Sequence, residues 1–297
     1  MNETLILKSR PVVESLNDKH KALVGHLKSK NINPSLTVVI VGDDPASHVY
    51  VRRKGQACEK LGIVSDTIAL PADTPESALL DLITKLNSDK SIHGILVQSP
   101  MPKQINEDHI ILAIDPKKDV DCFHPHNVGL LVSGNPYMQP CTPAGIVEIL
   151  KYYKISPEGK HVVVMGRSNI VGKPMANLLV QKKQFANATV TVVHSRTNAI
   201  GEYTKQADIL IAAIGQPHFV TNNMVKEGAV VIDVGMNRID ADNEKGYALV
   251  GDVKYDEVFE KVSAITPVPG GVGPMTIAML MENTITAAAQ QGGITLD

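Results

Sequence analysis

Tyr50 and Lys54 stand four residues apart in SHVYVRRKGQACEKLGI (47–63), a basic stretch of helical character. Helix positions i and i+4 share a face, so phenol and ammonium would point the same way. Such a pair is either a catalytic couple or a phenol lying over an alkyl stem on a solvated surface, and the four residues alone leave both open. A second candidate is GRSNIVGKP (166–174), a glycine turn opening a helix, where free backbone N–H groups and the helix dipole suit a pyrophosphate. Ser168 stands where the G-x-G-x-x-G pattern has its second glycine, so a plain strand-to-helix turn stays open beside a dinucleotide site. The following strand ends in HSRT (194–197), without the Asp or Glu that accepts from the ribose 2′-hydroxyl in NAD enzymes. Ser195 and Arg196, with Arg167 from the turn, suit a 2′-phosphate, which favours NADP over ordinary surface charges.

These residues need elements to hold them. SLTVVIVG (35–42) and IHGILVQSPMP (92–102) read as buried strands, the second placing Gln98 at a carboxyl end. ADTPESALLDLITKLN (72–87) has a threonine before Pro75 at a helix start, then an apolar stripe of Leu79, Leu80, Leu82, Ile83 and Leu86. In the second half HVVVMG, ATVTVVHS, ADILIAAIG and AVVIDVG are strands, GKPMANLLVQ (172–181) is a helix, and GPMTIAMLMENTITAAAQ is a final helix. CTPAGIVEILKYY (141–153) predicts a helix capped by Thr142 with Pro143 at its first position. Strand–helix alternation of this kind implies parallel sheets, and two such halves imply two α/β domains with a cleft between them.

The 297 residues are 43% hydrophobic and 20% charged, enough for two packed cores. A net charge of −2 argues against nucleic acid or an anionic membrane as partner. Three cysteines (Cys58, Cys122, Cys141) without CxxC spacing read as reduced thiols. With no basic region leading into an apolar run near the N-terminus, the expected location is the cytoplasm. The HPHN segment (124–127) lacks a third ligand at zinc spacing, so no metal is expected. Cys58 and Cys141 read as inert structural thiols. Lys117–Lys118 reads as a solvated loop charge, with attraction of a polyglutamate tail as the alternative.

Five stretches fall in register with one family. Ser47-x-x-Tyr50-x-x-x-Lys54, V-Q-x-P-x-P at 97–102, K-D-V-D-x-F-H at 118–124, G-R-S-x-x-V-G-x-P at 166–174 and P-G-G-V-G-P-M-T at 269–276 resemble the bifunctional methylenetetrahydrofolate dehydrogenase/cyclohydrolase family, across essentially the whole chain. Short-chain dehydrogenases also use Tyr-x-x-x-Lys, but after the nucleotide turn, whereas here the pair precedes it by more than a hundred residues. Cys122 stands where the family usually has glycine, and Ser99 and Met101 where it has leucines. The resemblance implies a folate-binding catalytic domain of residues 1–140 plus 275–297 and a Rossmann-like NADP-binding domain of 141–274.

It further implies two reactions on tetrahydrofolate one-carbon derivatives, polyglutamylated forms among them, by a homodimer acting in the one-carbon supply of purine biosynthesis. Hydride transfer from the methylene carbon to NADP+ needs no proton relay, only near-attack geometry. Hydrolysis of the methenyl cation to the formyl product does need proton transfer. Lys54 is the expected base: a lysine titrates near ~10.4, and partial burial and a neighbouring cation would lower that. Gln98 would orient Lys54, Tyr50 would stack on the aminobenzoate ring, and Asp121 would accept the paired N–H donors of the pterin edge. Asp119 is expected to be structural. Pro269, Gly270 and Gly273 complete the expected folate contacts. Gly166, Arg167, Ser168, Ser195, Arg196, Gly215, Met236, Gly271 and Thr276 are the expected cofactor contacts. An NADP oxidoreductase acting on a shikimate-like acid, and a catalytically idle NADP(H) sensor, are the competing readings. The joint presence of Lys54, Gln98 and Asp121 argues against the sensor.

Overall fold

The computed structural model describes residues 3–243 and 246–296, Ala46 through its backbone alone. The first half of the chain runs β1 (Leu5–Ile6), α1 (Ser9–Ser29), β2 (Ser35–Val41), α2 (Pro45–Leu61), β3 (Val64–Leu70), α3 (Glu76–Ser88), β4 (Gly94–Val97), α4 (Glu107–Ala113) and α5 (Pro125–Val132). The second continues with α6 (Cys141–Tyr152), β5 (His161–Met165), α7 (Gly172–Leu179), β6 (Thr189–Val193), α8 (Ile200–Thr204) and β7 (Ile209–Ala212). Then come β8 (Val230–Asp233), β9 (Asn237–Asp240), β10 (Tyr247–Val250), α9 (Tyr255–Val258), β11 (Ala264–Ile265) and α10 (Gly273–Gln291).

Two compact units result. One comprises Ser15–Cys141 with Ile277–Asp297. Its sheet is parallel, in the order β3-β2-β4. β2 and β4 are almost wholly buried, which is why they read as unbroken Val/Ile/Leu runs. β3 is an edge strand with mostly exposed residues, so its VSDTIAL sequence lacks that signature. Leu79, Ile83 and Leu86 of α3 pack with Val39, Val41, Ile95 and Ile110 into this unit's core, and Leu80 and Leu82 cover its margin.

Helix α2 is bounded by local chemistry. Asp44 accepts from the Ser47 N–H and hydroxyl, both at 2.8 Å, Pro45 occupies the first turn, and Gly62 closes the helix in the left-handed region at φ 75°. Ser47 therefore serves the cap.

The other unit comprises Met1–Glu14 with Thr142–Thr276. Its six strands are all parallel in the order β1-β11-β8-β7-β5-β6. The chain leaves β5 for β6 on one side and then crosses to β7 on the other, so the topological switch point lies between β5 and β7. Met165, Val193 and Ala212 are level with one another, which aligns the carboxyl ends of β5, β6 and β7. Val163, Leu210, Val231 and Ile265 form the core beneath, and β9 and β10 add a separate antiparallel hairpin.

The expected assignment of residues 1–140 to one domain is corrected at its start. β1 pairs with β11, and fully buried Leu7 donates its N–H to Ile265 at 2.8 Å, so the N-terminal segment belongs to the second unit. Two expected caps also differ. α6 begins at Cys141, leaving Thr142 inside its first turn, where its hydroxyl meets that of Thr276 at 3.0 Å. Thr74 turns back to the Pro71 carbonyl at 2.7 Å, and α3 starts after Pro75 without a side-chain cap.

Candidate active site

In the first unit Lys54 and Gln98 come together. Lys54, half-buried on α2, donates from Nζ to Gln98 Oε1 at 2.9 Å. Gln98 follows β4 directly, and its N–H extends the ladder to the Val39 carbonyl at 2.8 Å. Its Nε2 donates to the Ser99 carbonyl at 2.6 Å, which fixes the amide orientation and leaves Oε1 for the lysine. Tyr50 lies one turn before Lys54 and is partly exposed.

Asp121 shares the electrostatic environment of Lys54. Burial of its carboxyl pushes the pKa up to about 6, the Lys54 charge pulling it back and Asp119 adding to the rise. The residue still reaches solvent in part. Cys141 lies alongside, its Sγ 3.5 Å from the Val120 carbonyl and 3.9 Å from Asp121 Oδ1. Burial raises that thiol well above its ordinary range, so it stays a weak S–H donor toward the carboxylate. Cys122 has φ 61°, the left-handed region where glycine carries no Cβ penalty. This explains why the resembled family has glycine there.

The Asp121 loop is pinned by a residue the motifs did not reveal. Asn283, buried on α10, donates to the carbonyls of Val120 and Gln139, both at 2.8 Å, and lies 3.7 Å from Cys122 Sγ and 3.6 Å from Cys141 Sγ. Nothing in the MENTIT segment of the last helix sets this asparagine apart from the Glu282, Thr284 and Thr286 beside it. Asp119 is structural, as its position implied: Oδ2 accepts from the His124 N–H and the Asn127 amide, both at 2.8 Å. His124 Nδ1 accepts the His126 N–H at 3.0 Å and so caps α5.

Lys118 departs from the solvated-loop reading. It is buried, donating to the carbonyls of Leu86 at 2.9 Å and Asp89 at 2.6 Å. Only Lys117 of that pair is exposed.

In the second unit the glycine turn lies at the aligned carboxyl ends. A Cβ on Gly166 would collide with the Ala213 carbonyl, and one on Gly172 would collide with the backbone of Gly166. The turn is thus closed too tightly for side chains, as a close backbone approach to phosphate requires. Ser168 takes part in shaping it: its hydroxyl accepts the Val171 N–H at 3.1 Å and the Gly172 N–H at 3.4 Å.

Gly166 donates to the Val193 carbonyl at 2.8 Å, bringing the turn beside the HSRT segment. There the Thr197 hydroxyl accepts the His194 N–H at 3.0 Å, holding Ser195 and Arg196 outward. Arg167 and Arg196 are both exposed, and among the described residues no carboxylate lies within ion-pair distance of either. A phosphate bearing two negative charges fits this donor set.

Gly215 follows β7 at φ 67°. In the Pro/Gly run Gly270 is at φ 102°, Gly271 packs against Thr266 and Pro267, and Gly273 faces the methyl of half-exposed Met236. Pro269 is exposed, and Thr276 is held by Thr142.

Comparison with known proteins finds two family profiles, whose bounds differ from those of the compact units chiefly at residues 7–14 and 277–292. The profile "Tetrahydrofolate dehydrogenase/cyclohydrolase, catalytic domain" matches residues 7–121. The profile "Tetrahydrofolate dehydrogenase/cyclohydrolase, NAD(P)-binding domain" matches residues 140–292. The bifunctional protein FolD of Chlorobium phaeovibrioides is 58% identical over 285 residues, 95% of this chain and 97% of that protein.

Among solved structures, the bifunctional FolD enzyme of Campylobacter jejuni is 47% identical with a TM-score of 0.90, covering 97% of this chain and 99% of that one. The Trypanosoma brucei methylenetetrahydrofolate dehydrogenase-cyclohydrolase, complexed with NADP cofactor and an inhibitor, is 38% identical with a TM-score of 0.91, covering 98% and 99%. Two profiles in register and more than half of all residues shared with a full-length relative place this chain in the tetrahydrofolate dehydrogenase/cyclohydrolase family.

Proposed function

We propose that Lys54 is the proton-transfer group of a bifunctional enzyme that oxidises 5,10-methylenetetrahydrofolate with NADP+ and hydrolyses the methenyl product to 10-formyltetrahydrofolate. The Lys54–Gln98 contact carries this reading. A lysine whose amine is aimed by a side-chain amide, itself locked onto the Ser99 carbonyl, is placed for chemistry at a fixed point. In the hydrolytic step water adds to the methenyl carbon, Lys54 Nζ takes one proton and returns it to the departing nitrogen as the C–N bond opens, and the remaining hydroxyl proton is released to solvent as the formyl C=O forms. Tyr50 stacks on the aminobenzoate ring, and Asp121 accepts the pterin N–H pair.

Bound NADP+ accepts the hydride in the oxidative step. Gly166 and the turn around Ser168 hold its pyrophosphate, and Arg167, Ser195 and Arg196 hold its 2′-phosphate. Gly215, Met236, Gly271 and Thr276 complete the cofactor contacts, and Pro269, Gly270 and Gly273 those of the folate. The enzyme works as a cytoplasmic homodimer supplying formyl groups to purine biosynthesis. With Lys118 committed to backbone carbonyls, the exposed Lys117 is the cation of that loop left for a polyglutamate tail.

The purified protein is given methylenetetrahydrofolate with NADP+ and NAD+ in parallel. Reduced cofactor should form with NADP+, and Lys54→Ala should slow hydrolysis of added methenyltetrahydrofolate at least 100-fold. Hydrolysis surviving that substitution would remove Lys54 from the mechanism. Light scattering after gel filtration checks the dimer.

A further inference from the structure

The cofactor unit contains two buried carboxylates that neither the motifs nor the two reactions account for. Asp252, fully buried, follows β10 and precedes α9. Its Oδ2 accepts the backbone N–H of Ile214 at 2.7 Å and of Gly215 at 3.0 Å. Its Oδ1 accepts the N–H of Gln216 at 3.0 Å and the Asn237 side-chain amide at 2.9 Å. Three successive N–H groups converging on one anion form a nest, the concavity that binds phosphate in many nucleotide sites. Here the protein fills it with its own carboxylate.

Asp233, at the end of β8, holds Asp252 in turn. Its Oδ1 accepts the N–H groups of Asp252 and Gly235, and its Oδ2 that of Val253, all at 2.9 Å. Its own N–H goes to the Thr266 hydroxyl at 2.7 Å, directly before the Pro/Gly run. A Cβ on Gly251 would strike Asp233, and one on Gly235 would strike Asp252, so the backbone is closed around both carboxylates. The loop they hold lies at the switch point: Ala213, the first residue after β7, lies against Gly166, and residues 214–216 come next.

We infer that Asp252 is a positioning residue for the dehydrogenase reaction, fixing the 214–216 loop against the bound cofactor. Because a trans peptide sets N–H and C=O on opposite sides, drawing these N–H groups inward turns the Ile214 and Gly215 carbonyls away from Asp252. The loop then meets the cofactor with acceptors, which suit a donor such as a carboxamide NH2 or a ribose hydroxyl. Its donors are spent, so the pyrophosphate is left to the Gly166 turn. This inference rests on NADP+ being the oxidant.

The test is Asp252→Asn, which keeps the shape but sets an NH2 against N–H donors. The KM for NADP+ should rise at least tenfold and the thermal protection given by NADP+ should shrink. Hydrolysis of added methenyltetrahydrofolate, whose proposed proton-transfer pair Lys54 and Gln98 lies in the other unit, should stay within twofold. Asn237→Ala, which removes one donor and keeps the carboxylate, should raise the same KM two- to fivefold, and it decides the matter if the first variant does not fold. An unchanged KM for NADP+ in the folded variants, or an equal loss of both activities, would overturn the assignment. Wild-type protein that fails to reduce NADP+ would instead sink the underlying function.

Discussion

In the pterin-binding role proposed for it, Asp121 would combine two demands that conflict. To accept two pterin N–H donors its carboxyl must be ionised, yet its surroundings favour the acid, with burial lifting its pKa to about 6 from 3.8. For a carboxyl raised on folding, stability is highest below the unfolded value and falls as pH climbs from about 4 to about 6. Above that window the ionised group costs the ligand-free protein about 1–3 kcal/mol, the lower part allowing for its partial contact with solvent. Asp121→Asn should therefore raise the melting temperature by a few degrees at pH 7.5 and change it little at pH 4, while kcat/KM for the folate drops. In the wild type, kcat/KM should decline as pH falls below about 6, and the variant should lose that limb. An unaltered melting temperature at pH 7.5 would show that the carboxyl is better solvated than its placement implies. The residues of this site divide by legibility. Lys54, Gln98 and Asp121 were readable because each sits in a short stretch whose neighbours fix its context. Asn283 and Asp252 were not, because their partners lie as far as 163 and 38 positions away, at Val120 and Ile214.

At the scale of elements, the parallel strands β2, β4, β5, β7 and β8 were legible because burial on both faces demands unbroken β-branched runs. The edge strand β3 and the two-residue strands β1 and β11 escaped, since exposure removes that demand and two residues carry no period. Helix α7 shows how an element can depend on one missing side chain. Its first residue, Gly172, sits on the Gly166 backbone, and the next N–H, that of Lys173, reaches the Ser168 carbonyl at 3.1 Å. A methyl group at 172 cannot be absorbed by a rotamer change, because the obstacle is main chain. Gly172→Ala should push the opening of α7 off the turn and reduce oxidation with NADP+ at least 100-fold. It should weaken NADP+ binding by calorimetry to the same degree. Retained NADP+ affinity in this variant would mean that the pyrophosphate does not sit on the 166–172 turn.

At the scale of the molecule, the chain begins in the unit whose main body comes only after residue 141. Thr4 donates its hydroxyl to the carbonyls of Phe259 and Val262, Leu5 and Leu7 pair with β11, and Lys8 accepts from the Tyr153 hydroxyl at 2.8 Å. Ser9 donates both its N–H and its hydroxyl to the Gly270 carbonyl, at 3.0 and 2.9 Å, tying the N-terminus to the Pro/Gly run. No periodicity in the first nine residues announces this, and a boundary drawn from strand grammar alone assigns them elsewhere. The consequence is a directional dependence. Removing residues 2–9 strips the outer strand from β11, leaves its edge unpaired, and forfeits the burial of Leu7, about 2–3 kcal/mol by itself. Two units of this size need not unfold together, so calorimetry can separate them. The transition that NADP+ shifts upward should fall by at least about 5 °C, while the transition of the unit carrying Lys54 and Gln98 holds its place. A drop confined to the latter would reverse the assignment of the N-terminal strand. An equal drop in both would show that the two units melt as one, with β1 supporting the whole.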